Sequence, residues 1–245
     1  MNVLLDIHIL GMGRLDPNFR RGIYRYAEDL TNCLAQKQGI NLSLCASEKW
    51  QCVGSSCDYL EESPLLDGLP FIQSMPSIDK NIVRLFKAYD YSVKFRKKGL
   101  EKILVRMFLR EPLRSILKVR RNIAGEILTT GDLAGTDVYF SPDFPSMPDV
   151  IRCAPWVRNF VVVHDIIPLV TPQYVTKGRT LGFGEKLKRL NREDWIFTIS
   201  KWSRDDLCNY ADNIDPARVN VHPIAAGDHF YPSNGETADR MVRKK

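Results

Sequence analysis

The run Phe160-Val161-Val162-Val163-His164-Asp165-Ile166-Ile167-Pro168 constrains the fold more than any other stretch of the chain. Four apolar residues, three of them β-branched and none alternating with polar ones, suit a strand buried on both faces. Such strands belong to parallel sheets. His164 and Asp165 follow at once, so they fall at the strand's carboxyl end. In open α/β sheets ligands bind in the crevice outside that edge. An imidazole there can donate or accept a hydrogen bond to a polar ligand, and Pro168 stops the strand. The competing reading is a solvated His-Asp loop with no ligand, and this stretch alone does not choose between them.

The rest of the chain supplies the neighbours such a strand needs. Residues 3–9 read as a first strand. Residues 10–21 read as a glycine-rich, basic loop containing Gly11, Gly13, Arg14, Arg20 and Arg21. Gly22 opens a helix with Ile23, Tyr26, Ala27, Leu30, Cys33 and Leu34 on one face, and Gly39 ends it. A second strand over 40–46 completes the βαβ unit of a parallel sheet. Residues 50–80 read as loop, given Pro64, Pro70, Pro76 and several Ser and Gly. A short strand over 137–142 leads into a proline-rich loop over 143–155. After the central strand come a helix over about 184–194, a buried strand over 195–199, a helix over 204–212 and a last strand over 219–224. Ser200 or Ser203 is placed to cap the helix that follows them. The spacing predicts an α/β fold over 1–232, with a Rossmann-like, doubly wound, mostly parallel sheet. A polar tail without a core pattern follows over 233–245.

Composition bounds the function classes. An apolar fraction of 44% and an aromatic fraction of 10% suit a globular protein with a core. No apolar run approaches the ~18–20 residues that span a bilayer. The N-terminus lacks the charged and small-residue pattern of a signal peptide, so a cytoplasmic location is expected. The six cysteines form no C-x-x-C pair and have no histidines at zinc-ligand spacing. Reduced, mostly buried thiols and no metal site are expected.

Charge is concentrated. Residues 84–121 hold thirteen basic and three acidic residues, although the whole chain is only +6. Within 82–123, read as basic and helical, Lys102, Arg106, Arg110, Arg114 and Lys118 recur every four residues beside Ile103, Leu104, Met107 and Phe108. A solvated helical face explains such spacing. So does docking of Lys102, Arg106, Arg110 and Arg114 on an anionic membrane surface, where each basic residue gains ~1 kcal/mol. Nucleic-acid binding is disfavoured, because no recognised nucleic-acid module accompanies the charge.

Four segments, in order, carry a resemblance. They are Gly22-Ile23-Tyr24-Arg25-Tyr26; Val138-Tyr139-Phe140-Ser141-Pro142; Val163-His164-Asp165-Ile166-Ile167-Pro168-Leu169; and Thr198-Ile199-Ser200-Lys201-Trp202-Ser203-Arg204, followed by His222-Pro223-Ile224. Together they resemble the N-terminal half of family 4 glycosyltransferases of the GT-B fold. The resemblance implies retaining transfer of a sugar from a nucleotide-sugar donor to a polysaccharide or glycolipid acceptor, with no further cofactor. It makes His164 the residue that reaches a donor-sugar hydroxyl, with Asp165 and Ser200 in the same cleft. It makes the backbone at Gly11, Gly13 and Gly22, with Arg21 and Arg25, the surroundings of the donor phosphates.

Such enzymes have a second, donor-binding domain with a Glu-x₇-Glu motif. Glu185 and Glu193 have that spacing but precede the strand at 195–199, so they read as surface charges. This chain is therefore expected to be a single GT-B half-domain lacking the donor domain. Activity is expected to be weak or absent unless a separate donor-domain chain completes the cleft. The alternative is a non-catalytic module that binds glycan, membrane or a partner chain after loss of the donor half. An unrelated nucleotide-binding fold is disfavoured because the first loop lacks G-x-G-x-x-G.

Overall fold

A computed structural model describes residues 1–47, 50–72, 107–108, 111–112, 115–116, 128–144 and 147–224. Six strands form one sheet: β1 (Asn2–Asp6), β2 (Asn41–Cys45), β3 (Val138–Ser141), β4 (Arg158–Val163), β5 (Trp195–Thr198) and β6 (Val219–Val221). Their order is β2-β1-β3-β4-β5-β6, and every pairing is parallel. The fold is thus α/β and Rossmann-like, as the strand-helix alternation predicts. Phe140 pairs with Phe160, and Val161 with Ile196, so the expected central strand does lie inside the sheet.

The helices are α1 (His8–Leu15), α2 (Gly22–Gln36), α3 (Trp50–Glu61), α4 (Ile167–Val170), α5 (Lys177–Leu187) and α6 (Lys201–Tyr210). Alternation along each strand divides the core. Val3, Leu5 and Val138 pack with Tyr24 and Ala27 of α2. Val161, Val163 and Ile196 pack with Leu187 at the end of α5, Leu190 and Leu207 of α6. Each fully buried side chain of this size contributes about 1.5–3 kcal/mol.

Several boundaries differ from the sequence-based expectation. The first strand stops at Asp6, and the first half of the supposed glycine-rich loop is helix α1. Gly13 is required there: a Cβ on it would lie 2.2 Å from the Tyr24 ring. Its absence lets α2 approach α1. The stretch 50–80 is not all loop, since α3 occupies Trp50–Glu61. The helix before β5 lies earlier than expected, at Lys177–Leu187. On α2 the buried residues are Tyr24, Tyr26, Ala27 and Thr31, whereas Ile23 and Cys33 are exposed. Among the described cysteines only Cys45 is buried, so the expectation of mostly buried thiols fails.

The membrane-facing candidates Lys102, Arg106, Arg110 and Arg114 lie outside the described residues, as does the tail over 233–245. Met107 and Phe108, described from the same segment, are largely exposed. Among the described residues no helix is long and apolar enough to cross a membrane.

Candidate functional site

The sheet's strand order reverses between β1 and β3. The chain runs from β1 outward to β2, then returns to the other side of β1 to lay down β3 and continue to β6. Open parallel sheets bind ligands at the carboxyl ends flanking such a reversal. Three chain turns converge there. They are Asp6-Ile7-His8 after β1, Ser141-Pro142-Asp143 at the end of β3, and His164-Asp165 after β4.

His164 stands at the edge the sequence assigns it, but as a buried group rather than an exposed polar tip, with 7% of its surface accessible. The backbone carbonyl of Pro142 lies 3.0 Å from its Nε2. A carbonyl can only accept, so Nε2 carries the hydrogen and donates. Its Nδ1 is buried and, among the described residues, has no hydrogen-bond partner. In the neutral ring Nδ1 then offers a lone pair, the complement of a hydroxyl donor. Tyr26 of α2 meets the imidazole edge-on at 5.2 Å between centroids. The same ring lies 6.4 Å from that of His222, which follows β6. Burial pushes the Tyr26 phenol up to about 12, so it remains protonated at neutral pH.

The start of α2 and the end of β4 are therefore close, because Tyr26 sits one helical turn after Gly22. Arg21 and Arg25 are exposed at this start of α2. Arg20 is held instead, its Nε donating to the Gly13 carbonyl at 3.0 Å and its guanidinium lying over the Tyr24 ring. Gly11 and Gly13 are not loop residues. The Gly11 N–H donates to the Ile7 carbonyl, and Gly13 is interior to α1, so neither backbone is splayed out to wrap a phosphate. Asp165 accepts from the Ile167 N–H at 3.1 Å and so starts α4. Ser200 accepts from the Ser203 N–H at 3.1 Å, which makes it the cap of α6. Glu185 pairs with Lys188 on the surface.

The residues that sequence reasoning missed are Asp6 and His8, both fully buried. His8 Nδ1 lies 3.1 Å from Asp6 Oδ1, and the His8 backbone N–H donates to the same oxygen at 2.9 Å. The other oxygen, Oδ2, accepts from the Tyr139 hydroxyl at 2.8 Å and from the Ser47 hydroxyl and N–H. On the far side of the imidazole, Nε2 faces Asp143 Oδ2 at 3.5 Å. Burial alone would favour a neutral ring. The Asp6 charge, with the hydrogen bond to Asp143 and that to Asp6, outweighs burial and lifts His8 to about 10. Asp6 is likewise raised by burial, then lowered below its ordinary value by the His8 charge and by hydrogen bonds from His8 and Ser47. The ensemble is a buried imidazolium between two carboxylates at the strand-order reversal. Its one sequence signal was a polar residue ending an apolar strand with a histidine close behind, the same signal that marks His164 and Asp165.

Among the described residues no group of three or more His, Cys, Asp or Glu side chains is arranged to hold a metal ion. No family model matches the chain, and no curated protein matches it.

Proposed function

We propose that this chain is the acceptor-side half of a sugar-nucleotide-dependent glycosyltransferase, moving a sugar with retention to a polysaccharide or glycolipid acceptor. The observation that carries this reading is the unpartnered Nδ1 of His164, fixed as an acceptor by the Nε2–H bond to Pro142 at the carboxyl edge of the sheet. A buried polar atom without a partner costs about 1–3 kcal/mol. A ligand hydroxyl would remove that penalty. In this role His164 binds and orients a donor-sugar hydroxyl, while Arg21 and Arg25, exposed at the start of α2, face the diphosphate. Asp165 and Ser200 act through the turns they hold rather than by touching sugar. Stabilising the leaving diphosphate requires a second, donor-binding wall facing this edge, supplied by other residues or another chain.

The test is transfer from a panel of radiolabelled nucleotide sugars to a membrane-lipid or glycan extract, comparing wild type with His164→Ala. The expected outcome is weak or no transfer by the chain alone, and, with a donor-domain chain supplied, transfer by wild type with a loss of at least about tenfold in kcat/KM for the variant, the size of a lost hydrogen bond to a charged or polar reacting group. Equal activity would remove His164 from the reaction. A second reading, a non-catalytic glycan-binding module, is favoured by the helical state of Gly11 and Gly13, which leaves that stretch without a phosphate-wrapping backbone. Glycan binding without any transfer would support it.

A further inference from the structure

We infer that His8 is a positioning residue for His164, acting through the bend at Pro142 and Asp143 that separates them. The bend lies at the end of β3, between β1 and β4, and each of its two residues is engaged by a different histidine. Asp143 Oδ2 faces His8 Nε2 at 3.5 Å. The Pro142 carbonyl accepts from His164 Nε2 at 3.0 Å. These two contacts are joined by a short covalent path, one peptide plane and the Asp143 side chain. The Pro142 carbonyl belongs to the peptide plane that ends at the Asp143 Cα, so a shift of that Cα, which the held carboxylate restrains, turns the carbonyl with it.

His8 is suited to act as the fixed post. Its ring has no exposed surface, and Asp6 engages both its Nδ1 and its backbone N–H, so the imidazole orientation is set from the β1 side. Asp143 is the adjustable member, its side chain 17% exposed. The other bonds in the bend are short-range or run to the next strand: the Ser141 hydroxyl donates to the Asp143 carbonyl at 3.0 Å, and the Phe144 N–H to Val162 at 3.0 Å. Neither reaches across to β1. Among the described side-chain contacts, the His8–Asp143 pair thus ties the bend to the strand-order reversal beyond the β1–β3 ladder. With that tie cut, the Pro142 carbonyl loses its fixed direction. The His164 ring then loses the bond that keeps its hydrogen on Nε2 and its lone pair on Nδ1.

This inference rests on the reading of His164 as the ligand-facing group, but its test needs no ligand. The full chain, labelled with ¹⁵N in its histidines, is measured by long-range ¹H–¹⁵N correlation, with His164 assigned by its loss in His164→Gln. In the neutral ring of wild type, the expected result is a single tautomer with the hydrogen on Nε2. In Asp143→Ala and His8→Gln, folded as judged by dispersed backbone amides, the expected result is a mixture of both tautomers. Asp143→Glu is expected to restore the single form. His8 is buried and its variant is the one at risk of misfolding; the Asp143 variants test the tie from its more accessible end. A folded Asp143→Ala that keeps the pure Nε2–H tautomer would overturn the inference, as would a wild type with its hydrogen on Nδ1. A wild type that transfers no sugar even with a donor-domain chain supplied, while its variants lose tautomer control, would overturn the transferase reading and leave this inference standing. Intact transfer with an insensitive tautomer would do the reverse.

Discussion

Asp6 shows how one carboxylate can organise a sheet edge. It takes hydrogen bonds from His8, Ser47 and Tyr139, which belong to α1, the turn after β2, and β3. Removing it leaves the buried imidazolium without the carboxylate that engages both its ring and its backbone N–H. Asp6→Ala is expected to lower the free energy of unfolding by about 3 kcal/mol or more, read from urea denaturation. The pH dependence follows from the directions of the two shifts. His8 is raised from 6.5 to about 10, so its contribution is complete below 6.5 and is lost as pH rises through about 10. Asp6 is lowered from 3.8, so its contribution is complete above 3.8 and is lost as pH falls through its depressed folded value. The groups beside the pair are Asp143 and, around Asp6, Cys45 and Tyr139. Burial, then the Asp6 charge, pushes both of the latter well above their ordinary range. Wild-type stability is thus expected to decline toward pH 10 more steeply than that of His8→Gln, measured by the urea midpoint at several pH values. None of this was legible in the sequence beyond Asp6 and His8 themselves. Their partners Ser47, Tyr139 and Asp143 are far away in the chain, and only pairing of β1 with β2 and β3 brings them together.

Among the elements, α1 departs most from expectation. Two glycines in eight residues argue against a helix on propensity, and the reading of a glycine-rich loop followed from that, its phosphate role from the family resemblance. Packing prevailed instead, because Ile9 and Leu10 are buried and Gly13 admits the Tyr24 ring. A methyl group at position 13 would have to displace that ring. Gly13→Ala is expected to cost about 1–3 kcal/mol despite its better helix propensity, visible as a lowered Tm. Gly22→Ala is the control, since nothing lies within 4 Å of a Cβ there. The cap of α6 was legible, because a serine just after an apolar strand and just before a helix is the ordinary place for one. Ser200→Ala is expected to cost about 1 kcal/mol by the same thermal measurement. Helix α3 was not legible: Val53-Gly54-Ser55-Ser56-Cys57 are weak helix formers, and the three prolines after it drew the whole stretch toward loop.

For the whole molecule, the strand-helix rhythm carried most of the architecture. The β-branched runs gave the strands, and an all-parallel sheet needs helical crossovers between them. What the rhythm did not carry was which strand ends become neighbours, and so the candidate site was legible at β4 but not at β1. The strand order also sets a gradient of local stability. The edge of β2 is covered in part by the bonds that Leu44 exchanges with Pro70 and Ile72, whereas β6, among the described residues, has a partner on one side only. Amide hydrogen exchange is therefore expected to be slowest in β1, β3 and β4 and fastest in β6. The position of β3 beside β1 has a further consequence, for synthesis. The middle of the sheet is laid down by strands that lie far apart along the chain, so β1 emerges from the ribosome long before its inner neighbour exists. Until residue 141 has been made, a row of backbone donors and acceptors on β1 is open to any passing strand, and contacts this distant in sequence form slowly. The pairing that assembles the Asp6 network is thus also the step at which a nascent chain is most exposed to mispairing.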